Sequence, residues 1–413
     1  MHQTIKTRYL LLLVASALLF TSMGVAVAQE ISLVDTSAPA YVTEDDLDEA
    51  LRTFSWKKGD LTITPYGIAW LTASYDSART FPGPHTVWTN SPDVEGEDAT
   101  HIDVRYSRLG IEIQAPGIDG WEGSKVTGRF EGDFLGGFSQ LNRSGFRIRH
   151  AYAQIADDHT RILIGQNWDI VSPLNPKTLN FIPWLGNIGF RRAQIMIERK
   201  RHLDQGELIF QGAIAANVFQ DNYLGPVGET SDWPDLQGRV ALNWDNPFQA
   251  SKPISVGISG HIGEHGYDLP LNDDLRRNTH SFNIDVMLPI SDRLSIQGEY
   301  FTGSNLSSYF GGILQGIDPT TYDDIHTKGG WMSLDYKLSS KLSTTSGYAV
   351  EDPRDTDFSG AGRSYNDKIW GNLRAQLNEY LMVGVEYAHY DTHYLTQTNG
   401  SSDRFEFLSQ LKF

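Results

Sequence analysis

From Leu61 to Phe413 the chain reads as sixteen runs with a side-chain period of two, and the connections between them alternate in length. A period of two means β-strand, because successive side chains point to opposite faces. The predicted strands are 61–75, 101–116, 121–135, 146–157, 160–171, 191–200, 206–219 and 235–245. They continue with 252–266, 276–290, 293–304, 325–338, 341–351, 365–377, 380–394 and 403–413. Tight turns such as Asp158–His159, Ser291–Asp292 and Ser339–Ser340 alternate with longer acidic or glycine-rich loops, among them 76–100, 172–190, 220–234 and 305–324. A soluble sandwich has no reason to keep that alternation over an even number of strands. A transmembrane barrel does, with short turns on one side of the bilayer and long loops on the other. The expected fold class is therefore all-β: an antiparallel up-and-down barrel of sixteen strands, its long loops facing outward and its tight turns in the periplasm.

The stretch from Lys125 to Phe134 shows what such a strand must do. Its odd positions are Lys125, Thr127, Arg129, Glu131 and Asp133; its even positions are Val126, Gly128, Phe130, Gly132 and Phe134. In a barrel the apolar set meets lipid and the charged set a wet lumen. The last strand repeats the division, with Phe405, Phe407, Leu411 and Phe413 opposing Arg404, Glu406, Gln410 and Lys412. The second run loses phase between Val104/Tyr106 and Ile111/Ile113, so a β-bulge is expected near Arg108-Leu109. The fifth run is ambiguous. Tyr75, Trp121, Trp168, Trp244, Trp331, Tyr365 and Tyr380 lie near strand ends, where aromatic girdles would sit.

The N-terminus bounds the compartment. Lys6 and Arg8 precede an apolar run to Phe20, and small residues end at Ala26-Val27-Ala28. That is the pattern of a secretory signal peptide, residues 1–28, cut after Ala28. Residues 29–57 read as a periplasmic extension: Thr43-Glu44-Asp45-Asp46 resembles a capping box, and Leu47, Ala50, Leu51 and Phe54 fall at helical spacing. Residues 58–413 form the barrel. No later segment is apolar enough for a membrane helix. There is no cysteine, which excludes disulfides and thiolate sites. Loss of Lys6 and Arg8 takes the formal charge from −17 to −17 − 2 = −19, which argues against nucleic acid as a partner.

With the strands in place, five motifs resemble the DcaP-like family of trimeric outer-membrane porins. They are Ser107-Arg108-Leu109-Gly110-Ile111-Glu112, the stretch ending Glu131-Gly132-Asp133-Phe134, Phe146-Arg147-Ile148-Arg149-His150-Ala151-Tyr152, Leu163-Ile164-Gly165-Gln166-Asn167-Trp168 and Arg191-Arg192-Ala193-Gln194-Ile195. The terminal Phe413 resembles the signal read by outer-membrane assembly machinery. The resemblance covers roughly 101–200 and the very end of the chain. It implies a homotrimer in the outer membrane of a Gram-negative-type bacterium, passing small, often anionic, solutes.

In such a protein the work is an electrostatic and steric filter. Strand parity places Lys125, Arg129, Arg147, Arg149, Arg192 and Arg105 inside as a basic ladder, with Glu131, Asp133 and Glu198 as nearby acids. Cross-strand salt bridging that merely holds the barrel's shape is the competing reading. Loop 172–190 carries Pro173, Pro176, Lys177, Pro183 and Trp184 with apolar Leu179, Phe181, Ile182 and Leu185, and is expected to fold inward and narrow the pore. Packing against a neighbouring subunit is the alternative. His389, Asp391 and His393 share a face, but polar packing is preferred there to a zinc site. The acidic loops could bind calcium or bridge to lipopolysaccharide, although a solvated surface is the simpler reading. No G-x-S-x-G elbow is present, and no catalytic residue, metal or cofactor is expected. The expected function is a water-filled channel for passive diffusion of small hydrophilic solutes, favouring small anions such as carboxylates. A narrow substrate-specific channel and an occluded structural or adhesive barrel are the alternatives.

Overall fold

A computed structural model describes residues 55–136, 144–181, 183–218, 228–229, 232–248, 250–268 and 274–413. The expected signal peptide and the helix over 43–54 lie outside the described residues. The barrel strands are β1 (Leu61–Asp76), β2 in two parts (Ala99–Asp103 and Arg108–Pro116), β3 (Lys125–Asp133), β4 (Arg147–Ala156), β5 (Thr160–Trp168) and β6 (Arg191–Leu203). They continue as β7 (Gly206–Ala215), β8 (Asp235–Trp244), β9 (Ile254–Asp268), β10 (Asp274–Pro289), β11 (Leu294–Ser304) and β12 (His326–Lys337). The last are β13 (Leu342–Pro353), β14 (Arg363–Gln376), β15 (Leu381–Tyr394) and β16 (Gly400–Lys412). Each pairs antiparallel with the next, and β16 pairs back onto β1 from Ile68↔Lys412 to Asp76↔Arg404, closing the barrel. The backbone groups of Gly67 and Phe413 then bond each other at 2.7 and 3.0 Å. A Cβ on residue 67 would lie 2.4 Å from the Phe413 ring, so glycine is needed where the terminal ring closes the seam.

Alternation decides which side chains face lipid. On β16 Phe405 is 55% exposed and Arg404 1%. A charge on the lipid face costs about 2–4 kcal/mol at the bilayer midplane, so the arginines and glutamates of these strands turn inward.

Besides an irregularity between Arg363 and Tyr365 on β14, two bulges near the site interrupt the pattern. Between the β1–β2 pairs Thr72↔Asp103 and Ile68↔Arg108, β2 uses one residue more than β1. The irregularity therefore spans Val104–Ser107, just ahead of the expected Arg108-Leu109. Ser107 Oγ stands in for the lost ladder, accepting from Trp70 N at 3.0 Å and donating to Trp70 O at 3.3 Å. Val104 remains outward, whereas Tyr106 turns in and is fully buried. The second bulge lies in β4, where Glu131 pairs with His150 but Gly132 with Ile148, leaving Arg149 extra. It frees carbonyls on the β5 side, and Gln166 Nε2 donates to Ile148 O at 2.6 Å. This explains the ambiguity of the fifth strand, whose Gln166 is a polar residue on the outer face serving the neighbouring bulge. Gly165 beside it has φ of 127°, and a Cβ there would meet Ala151 O at 2.2 Å.

Three long-loop segments fold into the lumen. They are the hairpin of Thr80–Pro82 and Thr86–Thr89, the segment 169–190, and the segment 305–325. Their apolar side chains meet one another: Val87, Trp88, Trp184, Phe310, Ile313 and Leu314 form one buried cluster, with Phe81, Phe181 and Phe190 against it. The inward turn of 169–190 agrees with expectation. Segments 76–100 and 305–324 are expected from sequence as long outer loops, but parts of both are internal. Trp331 is also corrected. It is buried on the inner face, donating Nε1–H to Glu299 at 3.2 Å, and belongs to no girdle.

Candidate functional site

The inward segment 169–190 is held to the far wall by carboxylates that accept from its backbone. Glu299 on β11 accepts the Leu174 N–H at 2.7 Å. Glu386 on β15 accepts the Leu179 N–H at 2.6 Å and the Thr178 hydroxyl at 2.5 Å. Asn372 donates to Lys177 O at 2.7 Å, and Lys177 Nζ lies 3.1 Å from Asp335. Lys177 thus belongs to the loop as expected, but its charge is matched.

From this anchorage the segment reaches back to the wall of β2–β6. Phe181 stacks on Tyr106 with ring centroids 4.2 Å apart and meets Trp70 edge-on. It also faces arginines: the guanidinium carbons of Arg108 and Arg149 lie 5.6 and 5.9 Å from its ring centre.

The expected basic ladder separates into two kinds of residue. Arg147 and Arg149 are inside, where the β4 bulge also turns His150 in. Arg147 pairs with Asp133 at 2.6 Å, and Arg149 with Glu131 at 2.5 Å and Asp133 at 2.9 Å. The Tyr66 hydroxyl donates to Glu131 at 2.9 Å. Arg129 is inside but paired with Glu112 across the β2–β3 register. Arg105 lies in the β2 bulge rather than on the ladder, buried against Asp103 at 2.6 Å. Lys125 is exposed at the tight-turn end of β3 and does not reach the constriction. Glu198 pairs with Arg161 at 2.7 Å.

Arg192 requires the largest correction. Its fully buried guanidinium sits between Asp169 at 2.8 Å and Asp235 at 2.9 Å, 3.9 Å from the Tyr309 ring centre. It is a structural pin and not a pore charge. Arg192→Ala would leave two buried carboxylates facing each other, a loss of about 3–5 kcal/mol. Arg191→Ala, which removes only ring contacts, is expected to cost at most about 2 kcal/mol. Denaturant midpoints of the detergent-solubilised barrel check the difference. Equal losses would show that the pairing carries no weight.

Two arginines that parity did not select complete the site. Arg108 lies over Trp70 at 5.1 Å, and Arg191 over Trp168 at 4.5 Å and Phe190 at 5.2 Å. Among the described residues neither has a carboxylate partner, and both Nε atoms are buried without one. Arg108, Arg147, Arg149 and Arg191 lie within electrostatic reach of one another and of Asp133. Four guanidiniums against Glu131 and Asp133 leave a net charge of +4 − 2 = +2. Arg191-Arg192, an adjacent pair opening a strand after aromatic Phe190, was the signal available in the sequence.

Outside the membrane, Asp318 latches segment 305–325 to the next long loop. Its carboxylate accepts the N–H groups of Thr320, Thr321 and Ser359, each at 2.8 Å. Burial pushes its carboxyl up, but those donors and the Ser359 hydroxyl outweigh it and hold it at about 2. The latch is thus complete above the ordinary 3.8 and weakens only as pH falls toward about 2. On the outer face of β15, both His389 nitrogens are engaged, by Asp403 at 2.9 Å and Asp391 at 3.3 Å. Among the described residues no group of three or more acidic or imidazole ligands could hold a metal.

No protein-family model and no curated protein matches the chain. Solved structures do. The outer-membrane channel DcaP of Acinetobacter baumannii aligns with TM-score 0.71 and 17% identity, over 86% of this chain and 99% of that one. OmpF of Salmonella typhi, in complex with daunomycin, gives 0.56 and 13% over 87% and 100%. OmpT of Vibrio cholerae, in a trimer form, gives 0.54 and 11% over 86% and 99%. At these identities the likeness is one of fold: the closed sixteen-stranded antiparallel barrel that these outer-membrane channels share.

Proposed function

We propose that the chain is an outer-membrane porin, a water-filled channel for passive diffusion of small hydrophilic solutes with a modest preference for anions such as small carboxylates. The observation that carries this is the net-cationic cluster of Arg108, Arg147, Arg149 and Arg191 beside Phe181 of the inward segment. Selectivity follows charge at the narrow section. The acids of the outer loops lie in water and are screened within about 10 Å at 0.1 M salt. Among the other lumen carboxylates, Glu112, Glu198, Asp285 and Glu386 each sit against a cation. Three inward segments favour a narrow, substrate-selecting channel over a wide one. The trimer form of a fold relative supports a homotrimer, and the outward apolar band supports contact with lipid and lipopolysaccharide.

Reversal potentials in planar bilayers under a KCl gradient test the proposal. Anion preference is the expected result. Cation preference would overturn the assignment of the arginines, and a barrel without conductance would favour the occluded, structural reading. Turnover of ester or peptide substrates by the purified protein would replace the channel with an enzyme.

A further inference from the structure

The segment 305–325 is strained. Asn305, Phe310, Ile313, Leu314 and Tyr322 have φ of 53, 64, 52, 60 and 61°, in the left-handed region that glycine takes freely and other residues resist. For β-branched Ile313 this is a true outlier. Such a conformation persists only where the surroundings impose it, and strain of this kind gathers at switch regions.

Three charged side chains of the wall impose it. Arg363 on β14 donates to Ile313 O from Nε at 3.2 Å and Nη2 at 2.9 Å, with its face 4.2 Å from the Trp88 ring centre. Arg192 donates to Ser308 O at 3.1 Å. Glu351 on β13 turns its carboxylate toward the N–H groups of Gly312, Ile313 and Gly186. Gln315 adds a reciprocal pair with the Arg363 backbone, both bonds 2.9 Å. The apolar side of the segment rests on the other two inward segments: Phe310 stacks on Trp184 at 3.6 Å, and Ile313 and Leu314 join Val87 and Trp88. A few polar ties therefore hold the strained residues 310–314 against other loops, whereas Leu306–Tyr309 are rooted in the wall, Tyr309 donating to Asp235 at 2.9 Å and stacking on His261.

We propose that residues 310–314 are a second, size-selecting gate, closed in this structure and hinged on the anchored Leu306–Tyr309, which swings out of the lumen when the Arg363 tie releases and so relieves its strain. The gate rests on the channel reading above. It differs from the fixed constriction of segment 169–190 in having a second, wider state.

The absence of cysteine makes a clean test possible. Gly311 has φ of −92°, which accepts a side chain, and a Cβ there would lie 3.0 Å from Cγ2 of Ile188 on the inward segment. An Ile188→Cys/Gly311→Cys variant can therefore tie the gate shut on oxidation. The reduced variant and the unmodified channel are expected to visit a larger-conductance state in single-channel records. Oxidation is expected to abolish that state and dithiothreitol to restore it. Arg363→Gln is expected to raise its occupancy at least about tenfold, the scale of losing one charge-assisted hydrogen bond. Gln315→Ala, which removes only the reciprocal pair, is expected to act in the same direction and serves if Arg363→Gln fails to assemble. Conductance indifferent to the redox state of the pair, or no wider state in either variant, overturns the gate while leaving the channel standing. A protein that conducts in neither redox state overturns the channel and the gate with it.

Discussion

Deleting Asn175 to Gly186 is expected to raise single-channel conductance roughly two- to threefold, because the deleted residues fill the narrow section of the lumen. Assembly is expected to survive for reasons that can be read residue by residue. The ladder bonds that close the barrel run between strands and do not involve this segment. The Asp169–Arg192–Asp235 pin lies outside the deletion, as does Leu174 on Glu299. Glu386 loses Thr178 and Leu179 but keeps Lys368 at 3.4 Å and Asn372 at 3.0 Å. Asp335 loses Lys177 but keeps Gln297 at 3.0 Å and Thr345 at 2.6 Å. The carboxylates exposed by the deletion thus retain partners and gain water. What disappears is the Phe181 ring against Tyr106 and the Trp184 ring against Phe310. Conductance unchanged in a variant that still shows heat-modifiable migration would mean that solutes pass elsewhere.

The strands were legible because the signals that define them are local. Period-two alternation and turn length lie within a dozen residues of one another, and each expected strand overlaps one observed strand. The bulges are harder to read, since a bulge is a property of two strands and the sequence of one carries only half of the signal. Loss of phase at Val104 and Tyr106 announced the first, while nothing in Arg147-Ile148-Arg149-His150 announced the second. Its partner groups are Glu131 on β3 and Gln166 on β5. Parity could say that Arg105, Arg129 and Arg192 face inward but not what they meet. Asp169 and Asp235, which neutralise Arg192, come from a loop and from β8. The internal parts of 76–100 and 305–324 were hidden by composition. Acidic tips surround apolar anchors such as Val87-Trp88 and Phe310, and only the tertiary cluster makes those anchors intelligible.

That division between matched and unmatched charge sets the selectivity. An arginine pressed against a carboxylate presents a dipole to a passing ion, and its field falls off quickly. Arg108 and Arg191 are held by rings instead of carboxylates, so no acid in contact cancels their charges. A unit charge about 5 Å away in a water-like dielectric is worth somewhat less than 1 kcal/mol to a monovalent ion. Removing both costs an anion somewhat less than about 2 kcal/mol and relieves a cation by as much, so the anion-over-cation permeability ratio should fall by on the order of a hundredfold before screening by salt, and by less after it. Arg108→Ala/Arg191→Ala takes the cluster from +2 to zero, and its reversal potential is expected to move toward the cation side of the unmodified channel. Arg129→Ala also removes one positive charge, but it frees Glu112 away from the cluster and is expected to shift the potential less. Arg105→Ala, buried with Asp103, provides a second comparison. Measuring all four channels at one salt gradient separates local charge at the constriction from total charge. Equal shifts in all three variants, or none in the double variant, would move the selectivity away from these two residues.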